Sequence, residues 1–403
     1  MRILHTSDIH TGRKLKDRDR TDEFRKFFCW LEEQITNEEI DTLLISGDIF
    51  DNMTPSVTSQ NIYYSFLGRI AESKCRHTVI ISGNHDSASF IDAPSDILKF
   101  CKVHVIGQAC MNPEDEVTEL KDSDGRTELI VCAVPYLRDK DVRTVSADDS
   151  FSDIDRALQA GIRAHYERVF EHAKSLQGDL NVPIIAMGHL FLKNGLTREG
   201  DGVRSLYVGT SVEVSSDIFP EYVTYTALGH LHSAQYIGRE NIRYSGSPIA
   251  MGFGEAGQNK SVSVIETDGK NLVSVKEIPV PVFQRLERIS GDMNELENEI
   301  NTLGHENESI WLDVTYTGED IQGNLQDKLN NCVKKFPLID ILSVRDESPK
   351  DNPDGISVPD GLDSITPLDM LKFCFDENDT PKEQRDILVP LYEEILRGLE
   401  VDY

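Results

Sequence analysis

Five short apolar runs in this sequence each end in a sharp turn that carries residues able to hold a metal ion. Ile3-Leu4 leads to Asp8-Ile9-His10, and Leu43-Leu44-Ile45 leads to Gly47-Asp48-Ile49-Phe50-Asp51. Val79-Ile80-Ile81 leads to Gly83-Asn84-His85-Asp86, and Ile184-Ile185-Ala186 to Gly188-His189. The last, Tyr225-Thr226-Ala227-Leu228, leads to Gly229-His230-Leu231-His232. Carboxylate, imidazole and amide donors without a thiolate suit hard-to-borderline divalent ions. Two ions in one site need a bridging anion, and a carboxylate supplies it. Held about 3.5–4 Å apart, they can grip both the attacking and the leaving oxygen of a phosphoryl centre. Each group alone is weak: Asp-x-His at a strand end is usually a turn with a surface histidine, and Asn84 alone reads as an Asx-turn former. All five in this order point to one metal centre.

The remaining histidines carry plainer expectations. His5 and His104 fall in apolar strand patterns and are expected as hydrogen-bonded core residues. His77, His165, His172 and His305 fall in polar or helical stretches and are expected to be solvated.

The elements that must position these groups follow from the apolar periodicity. Residues 1–280 alternate β-branched runs with helical patterns, as an α/β domain does. Phe24, Phe27, Phe28, Leu31 and Ile35 share one helical face, as do Ile62, Phe66 and Ile70, and Ile154, Leu158, Ile162 and Val169. Asp124-Gly125 and Asp268-Gly269 predict hairpin turns, so antiparallel strands join the parallel ones in a mixed sheet or two stacked sheets. Ligands of open α/β sheets bind outside the carboxyl ends of the strands. Residues 281–345 read as a small α+β domain, with strands at Leu286–Ile289, Ile310–Thr317 and Ile339–Val344 and helices at Met293–Leu303 and Leu325–Phe336. Residues 346–366, acidic and rich in Pro and Gly, read as a linker. In 367–403, Leu368, Leu371 and Phe375, then Leu388, Leu391, Ile395 and Leu399, predict two helices, with Pro390 kinking or starting the second.

With 41 basic against 70 acidic residues, the net charge is −29, which counts against a stand-alone tight nucleic-acid binder. It leaves room for an enzyme whose cations, local basic loops or partner meet phosphates. Seven scattered cysteines without a Cys-x-x-Cys argue against a disulfide framework, and a reduced cytoplasmic protein is expected. No run of about 20 apolar residues suggests a membrane span, and no membrane association is expected.

In their order and residues the five motifs resemble the calcineurin-like metallophosphoesterases, and within them the double-strand-break repair nucleases of the bacterial SbcD type. The opening Met1-Arg2-Ile3-Leu4-His5-Thr6-Ser7-Asp8, Gly83-Asn84-His85-Asp86-Ser87 and Pro135-Tyr136-Leu137-Arg138 carry the likeness. So do Tyr207-Val208-Gly209-Thr210 and Arg243-Tyr244-Ser245-Gly246-Ser247-Pro248. The resemblance implies a sandwich of two mixed β-sheets flanked by helices, a small capping domain at 281–345 and a helical tail at 367–403. It also implies one ion on Asp8, His10, Asp48 and His232, and a second on Asp48, Asn84, His189 and His230, with Asp48 bridging. Manganese is the family's usual metal, and His85 resembles its catalytic histidine. Where this chain has Asp51, archaeal and eukaryotic members have a histidine, while bacterial members share the aspartate. Asp51 and Asp86 are read as supports for the site.

The same resemblance implies a double-strand exonuclease and single-strand or hairpin endonuclease that works with an SbcC-like coiled-coil ATPase, as a homodimer within a heterotetramer. The capping region would shape the DNA groove and the tail would dock the ATPase. Arg13, Lys14 and Lys16, with Arg18 and Arg20, are candidates for phosphate contacts at the site mouth; the alternative is a solvated loop diluted by Asp17 and Asp19. Two other functions stay open: a small-substrate metallophosphodiesterase or phosphatase, and a non-catalytic scaffold for the ATPase. Against the first stands Asn52-Met53 after Asp51, where related protein phosphatases carry Asp-Arg-Gly.

Overall fold

The computed structural model describes residues 1–142, 151–196, 213–319 and 324–348, with scattered positions between 371 and 392. It divides into two units, Met1–Ser348 and Pro349–Tyr403. In the first, fifteen strands among the described residues form three sheets. In chain order they are β1 (Arg2–Thr6), β2 (Thr42–Ser46), β3 (His77–Ile81), β4 (Val103–Ile106) and β5 (Val117–Lys121). There follow β6 (Thr127–Ala133), β7 (Ile184–His189), β8 (Tyr225–Gly229), β9 (Gln235–Ile237) and β10 (Arg239–Tyr244). The last are β11 (Ser261–Asp268), β12 (Asn271–Pro279), β13 (Arg285–Gly291), β14 (Ile310–Tyr316) and β15 (Ile339–Asp346).

Two six-stranded mixed sheets make a sandwich, ordered β12-β11-β1-β2-β3-β4 and β5-β6-β7-β8-β10-β9. In each, four neighbouring strands run parallel; antiparallel strands add to one edge of the first sheet and to both edges of the second. Both Asp-Gly pairs turn between paired strands, Asp124-Gly125 joining β5 to β6 and Asp268-Gly269 joining β11 to β12. Parallel strands are covered on both faces, so their sequences are almost uninterruptedly apolar. Alternate side chains of each sheet divide between a shared core and a helix-covered one, three cores in all. Ile3, Leu44, Val79 and Ile81 of one sheet meet Ile185, Met187, Tyr225 and Ala227 of the other. Leu4, Leu43, Ile45 and Ile80 instead face the helices Thr21–Asn37 and Val57–Ala71, whose Phe24, Phe27, Phe28, Tyr63 and Phe66 are buried. On the far side Ile184, Ala186 and Leu228 pack on Leu158, Ile162 and Val169 of the helix Phe151–Gln177.

Three histidines depart from expectation, and the first, His104, is half-buried on β4 rather than in the core. His77 opens β3, is buried, and lies 2.9 Å from the Lys121 carbonyl oxygen. His165 falls on the stripe of Leu158, Ile162 and Val169, and its Nε2 meets the buried Glu116 carboxylate at 2.8 Å. His77 and His165 are not solvated. A polar side chain on an apolar face stays buried when a partner satisfies it. His5 is a buried core residue, with Nδ1 3.1 Å from the Tyr225 hydroxyl.

The third sheet, β13-β14-β15, is wholly parallel, with the helices Met293–Gly304 and Leu325–Val333 as crossovers. Asp292 and Glu295 close a capping box at the start of the first helix. Leu286 on this sheet clusters with Leu15 and Phe253 of the sandwich, and Arg18 pairs with Asp340 at 3.2 Å. The loop that follows His10 is thereby tied to the small sheet. In the second unit Leu371, Phe375, Leu388 and Leu391 are helical. Most of the linker expected at 346–366, most of the remaining tail, including Leu368, Pro390, Ile395 and Leu399, and Tyr207–Thr210 lie outside the described residues.

Candidate metal centre

The five motifs leave the carboxyl ends of β1, β2, β3, β7 and β8, three from one sheet and two from the other. Where they leave, the backbone is unusual. Asp8, His10, Asp48 and His230 take positive φ of 51°, 51°, 49° and 102°, a region few non-glycine residues visit. Hydrogen bonds hold the first two loops side by side: Asp8 N–H donates to the Gly47 carbonyl at 3.0 Å and His10 N–H to that of Asp48 at 2.9 Å. Such strained residues persist where the surroundings over-determine them, and they cluster at functional sites. A side chain at Gly83 would overlap the Asp48 carboxylate, and one at Gly229 would overlap the Ser46 carbonyl. These glycines let strands from both sheets close on one point.

At that point Asp8, His10, Asp48, His189 and His232 are buried, while Asn84, His85 and His230 are partly exposed. Asp48 is central. Its Oδ2 lies 3.5 Å from His10 Nε2 and 3.4 Å from His189 Nε2, and its Oδ1 accepts the His85 N–H at 2.9 Å. His10 Nε2 and His232 Nε2 face each other at 3.1 Å. Asn84 Oδ1 lies 3.0 Å from both His189 Nε2 and His230 Nδ1. Asp8 accepts from Ser7 Oγ and, at 2.8 Å, from His230 N–H. Asp8, His10 and His232 form one group with donor atoms within 4.8 Å of one another, and Asp8, Asp48 and His189 form another. Several lone-pair donors converge with too few hydrogens to share among them. Divalent cations fit this donor set.

The titration directions reflect crowding. Burial, then the opposing pull of Asp48, leaves His10 well below its usual range, and burial, then the neighbouring His189, lowers His230 to about 3. For His189, burial disfavours the charge, but Asp48, with Asp8 and the Ser46 carbonyl, raises the pKa to about 9. Ring orientation comes largely from main chain: His189 Nδ1 donates to the Ser46 carbonyl and His85 Nδ1 to the Asp51 carbonyl, both at 2.9 Å. The Asp51 carboxylate itself meets Arg13 at 3.2 Å and lies 3.7 Å from His10 Nδ1. Asp86 accepts N–H groups of Ile49, Phe50 and Gly83 at 3.1, 2.9 and 2.9 Å, tying the second loop to the third. Burial and then the charge of Asp48 raise Asp86 to about 6.

Of the basic residues after His10, Arg13 holds Asp51 and the Met251 carbonyl, Arg18 holds Asp340, and Arg20 is buried against Glu23. Lys14 and Lys16 are exposed. One group carries no sequence signal: Glu255, buried in the Gly-rich turn Gly252–Gly257, lies 3.4 Å from His232 Nδ1.

Residues 1–234 match the family model for calcineurin-like phosphoesterases. Residues 282–379 match a second model, SbcD_C, described as the Type 5 capsule protein repressor C-terminal domain. The SbcD component of the nuclease SbcCD from Escherichia coli strain K12 is 32% identical over 348 residues, covering 86% of this chain and 85% of that protein. The chain belongs to the SbcD family of SbcCD nuclease components. The SbcD proteins of Rhodobacter capsulatus and Bacillus subtilis strain 168 are 33% and 32% identical, covering 70% and 66% of this chain and 69% and 66% of those proteins. The protein is therefore a metallophosphoesterase of the nuclease class that binds divalent metal, and its two mixed sheets with flanking helices are that fold. Among the described residues no helix is long and apolar enough to cross a membrane.

Proposed function

We propose that this chain hydrolyses DNA phosphodiesters at a site of two Mn²⁺ ions, as a double-strand exonuclease and as an endonuclease on hairpins and single strands. The observation that carries it is the position of Asp48, whose carboxylate lies between His10 and His189 at 3.5 and 3.4 Å. Asp8, His10 and His232 would hold one ion and Asn84, His189 and His230 the other, with Asp48 shared. Bound divalent ions supply the Lewis acidity that activates water near neutral pH and offsets phosphate charge. The protein's own groups do the rest. His85 has Nδ1 committed to the Asp51 carbonyl, so Nε2 is the atom left to face substrate. As imidazolium it would steady the phosphate or give a proton to the leaving 3′ oxygen. Arg13 and Asp86 keep the loops around His85 in register. Lys14 and Lys16 would meet DNA phosphates at the mouth.

The chain's charge of −29 argues for a borrowed grip on DNA, and an SbcC-like ATPase would supply it. In this reading residues 281–345 form a cap beside the site, 346–366 a linker, and 367–403 the docking tail, in a homodimer within a heterotetramer. The test uses purified chain with labelled blunt-ended and hairpin DNA and Mn²⁺, with and without the ATPase. Cleavage is expected in wild type and absent in Asp48→Ala. Cleavage that survives Asp48→Ala sinks the site, and a cyclic nucleotide hydrolysed far faster than DNA sinks the substrate.

A further inference from the structure

We infer that Glu255 is a positioning residue for His232, fixing which ring nitrogen carries the proton, and that Lys260 holds Glu255 in place as an ionised carboxylate. The inference rests on the ligand set proposed above and adds to it a support from outside the five motifs. His232 points Nε2 into the centre, 3.1 Å from His10 Nε2, and Nδ1 outward, 3.4 Å from Glu255 Oε1. Where His189 and His85 lean on neutral carbonyls, His232 faces a carboxylate that is almost completely buried.

That carboxylate is built to face one way. Its Oε2 accepts Met251 N–H at 3.0 Å and the Ser247 hydroxyl at 3.2 Å, and makes a close ion pair with Lys260. The Lys260 ammonium also donates to the His232 carbonyl at 3.1 Å and to Ser247 Oγ at 3.0 Å. Oε2 is thus saturated, while Oε1 makes no hydrogen bond among the described residues and has the His232 imidazole 3.4 Å away. A buried carboxylate needs such an ion pair to stay charged. A hydrogen on Nδ1 would face Oε1 across this 3.4 Å contact and leave the lone pair of His232 on Nε2, the nitrogen facing the centre. A carboxylate behind a ligating histidine fixes its tautomer and raises its basicity, and losing it typically costs about 10–100-fold in metal affinity.

Two measurements on the full chain test this. The first is Mn²⁺ affinity by titration calorimetry for wild type, Glu255→Gln, His232→Asn and the double variant. The second is the His232 tautomer in the metal-free chain, read from ¹⁵N shifts of labelled histidine. Glu255→Gln should weaken binding about 10–100-fold and remove the fixed Nδ1–H signature. The double variant should be no weaker than His232→Asn alone, because Glu255 acts through His232. Wild-type affinity in Glu255→Gln, an unchanged tautomer, or additive losses would overturn the inference while leaving the ligand set standing. Undiminished binding in His232→Asn would overturn the ligand set as well. Lys260→Met is measured alongside and must weaken binding in the same direction, so the inference stays refutable even where Glu255→Gln fails to fold.

Discussion

In the unfolded chain His5 takes up a proton near pH 6.5; in the folded chain burial and the charge of Arg243 delay this to about pH 3. Between those values the unfolded state binds more protons, so stability is complete above pH 6.5 and falls as the pH drops. At pH 5 the cost is about 2 kcal/mol. Urea titrations at pH 7 and pH 5 should show a stability loss that His5→Gln reduces by that amount. At His85 the expectation is chemical. His85→Gln should lower kcat by about 10²–10⁴-fold with bound metal unchanged, as measured by single-turnover cleavage beside metal analysis. Residue types carried much of the centre, because carboxylate and imidazole after apolar strands are a legible pattern. Glu255 was not legible: a lone acid in a Gly-rich turn has neither periodicity nor a partner nearby in sequence. His165 could have been found, since it shares a stripe with Leu158, Ile162 and Val169. Its partner Glu116 lies 49 positions away and could not.

The strands end where the chemistry begins, and glycine makes that junction possible. Gly47 sits at φ +85°, and a methyl group on Gly83 would overlap Asp48. Gly83→Ala should therefore push the Asp48 loop outward, costing about 1–3 kcal/mol of stability and most of the metal affinity. Denaturant titration and calorimetry on one preparation check both losses. Wild-type metal affinity in Gly83→Ala would refute the close-approach argument. Apolar runs and Asp-Gly turns made the strands, helices and both hairpins readable. Sheet membership was not readable, because a parallel strand buried on both faces looks alike in either sheet. The pairing of β1 with β11 joins Arg2 to Glu266 and leaves no local trace. The small third sheet was readable as elements, but parallel pairing shows only when the crossover helices are seen packed on it.

For the whole molecule the acidic balance is the governing quantity. A chain of net charge −29 should cleave slowly alone and gain from the proposed ATPase partner, most strongly at low salt, because the partner's added phosphate contacts fade as salt rises. Removing residues 367–403 should abolish that gain and ATPase binding while hydrolysis of a generic phosphodiester persists; pull-down and a chromogenic substrate report the two separately. Retained binding would refute the docking tail. The centre also crosses a seam: Asp8, Asp48 and Asn84 hang from one sheet, and His189, His230 and His232 from the other. On the proposed two-ion reading, ions bound there would act as staples through the sandwich, and their binding energy would become folding energy. Each ion at about 100 times its dissociation constant adds about 2.7 kcal/mol. A chelator should then lower the melting temperature of wild type and barely move that of Asp48→Ala, which makes a simple melting curve a gauge of occupancy before any DNA is cut.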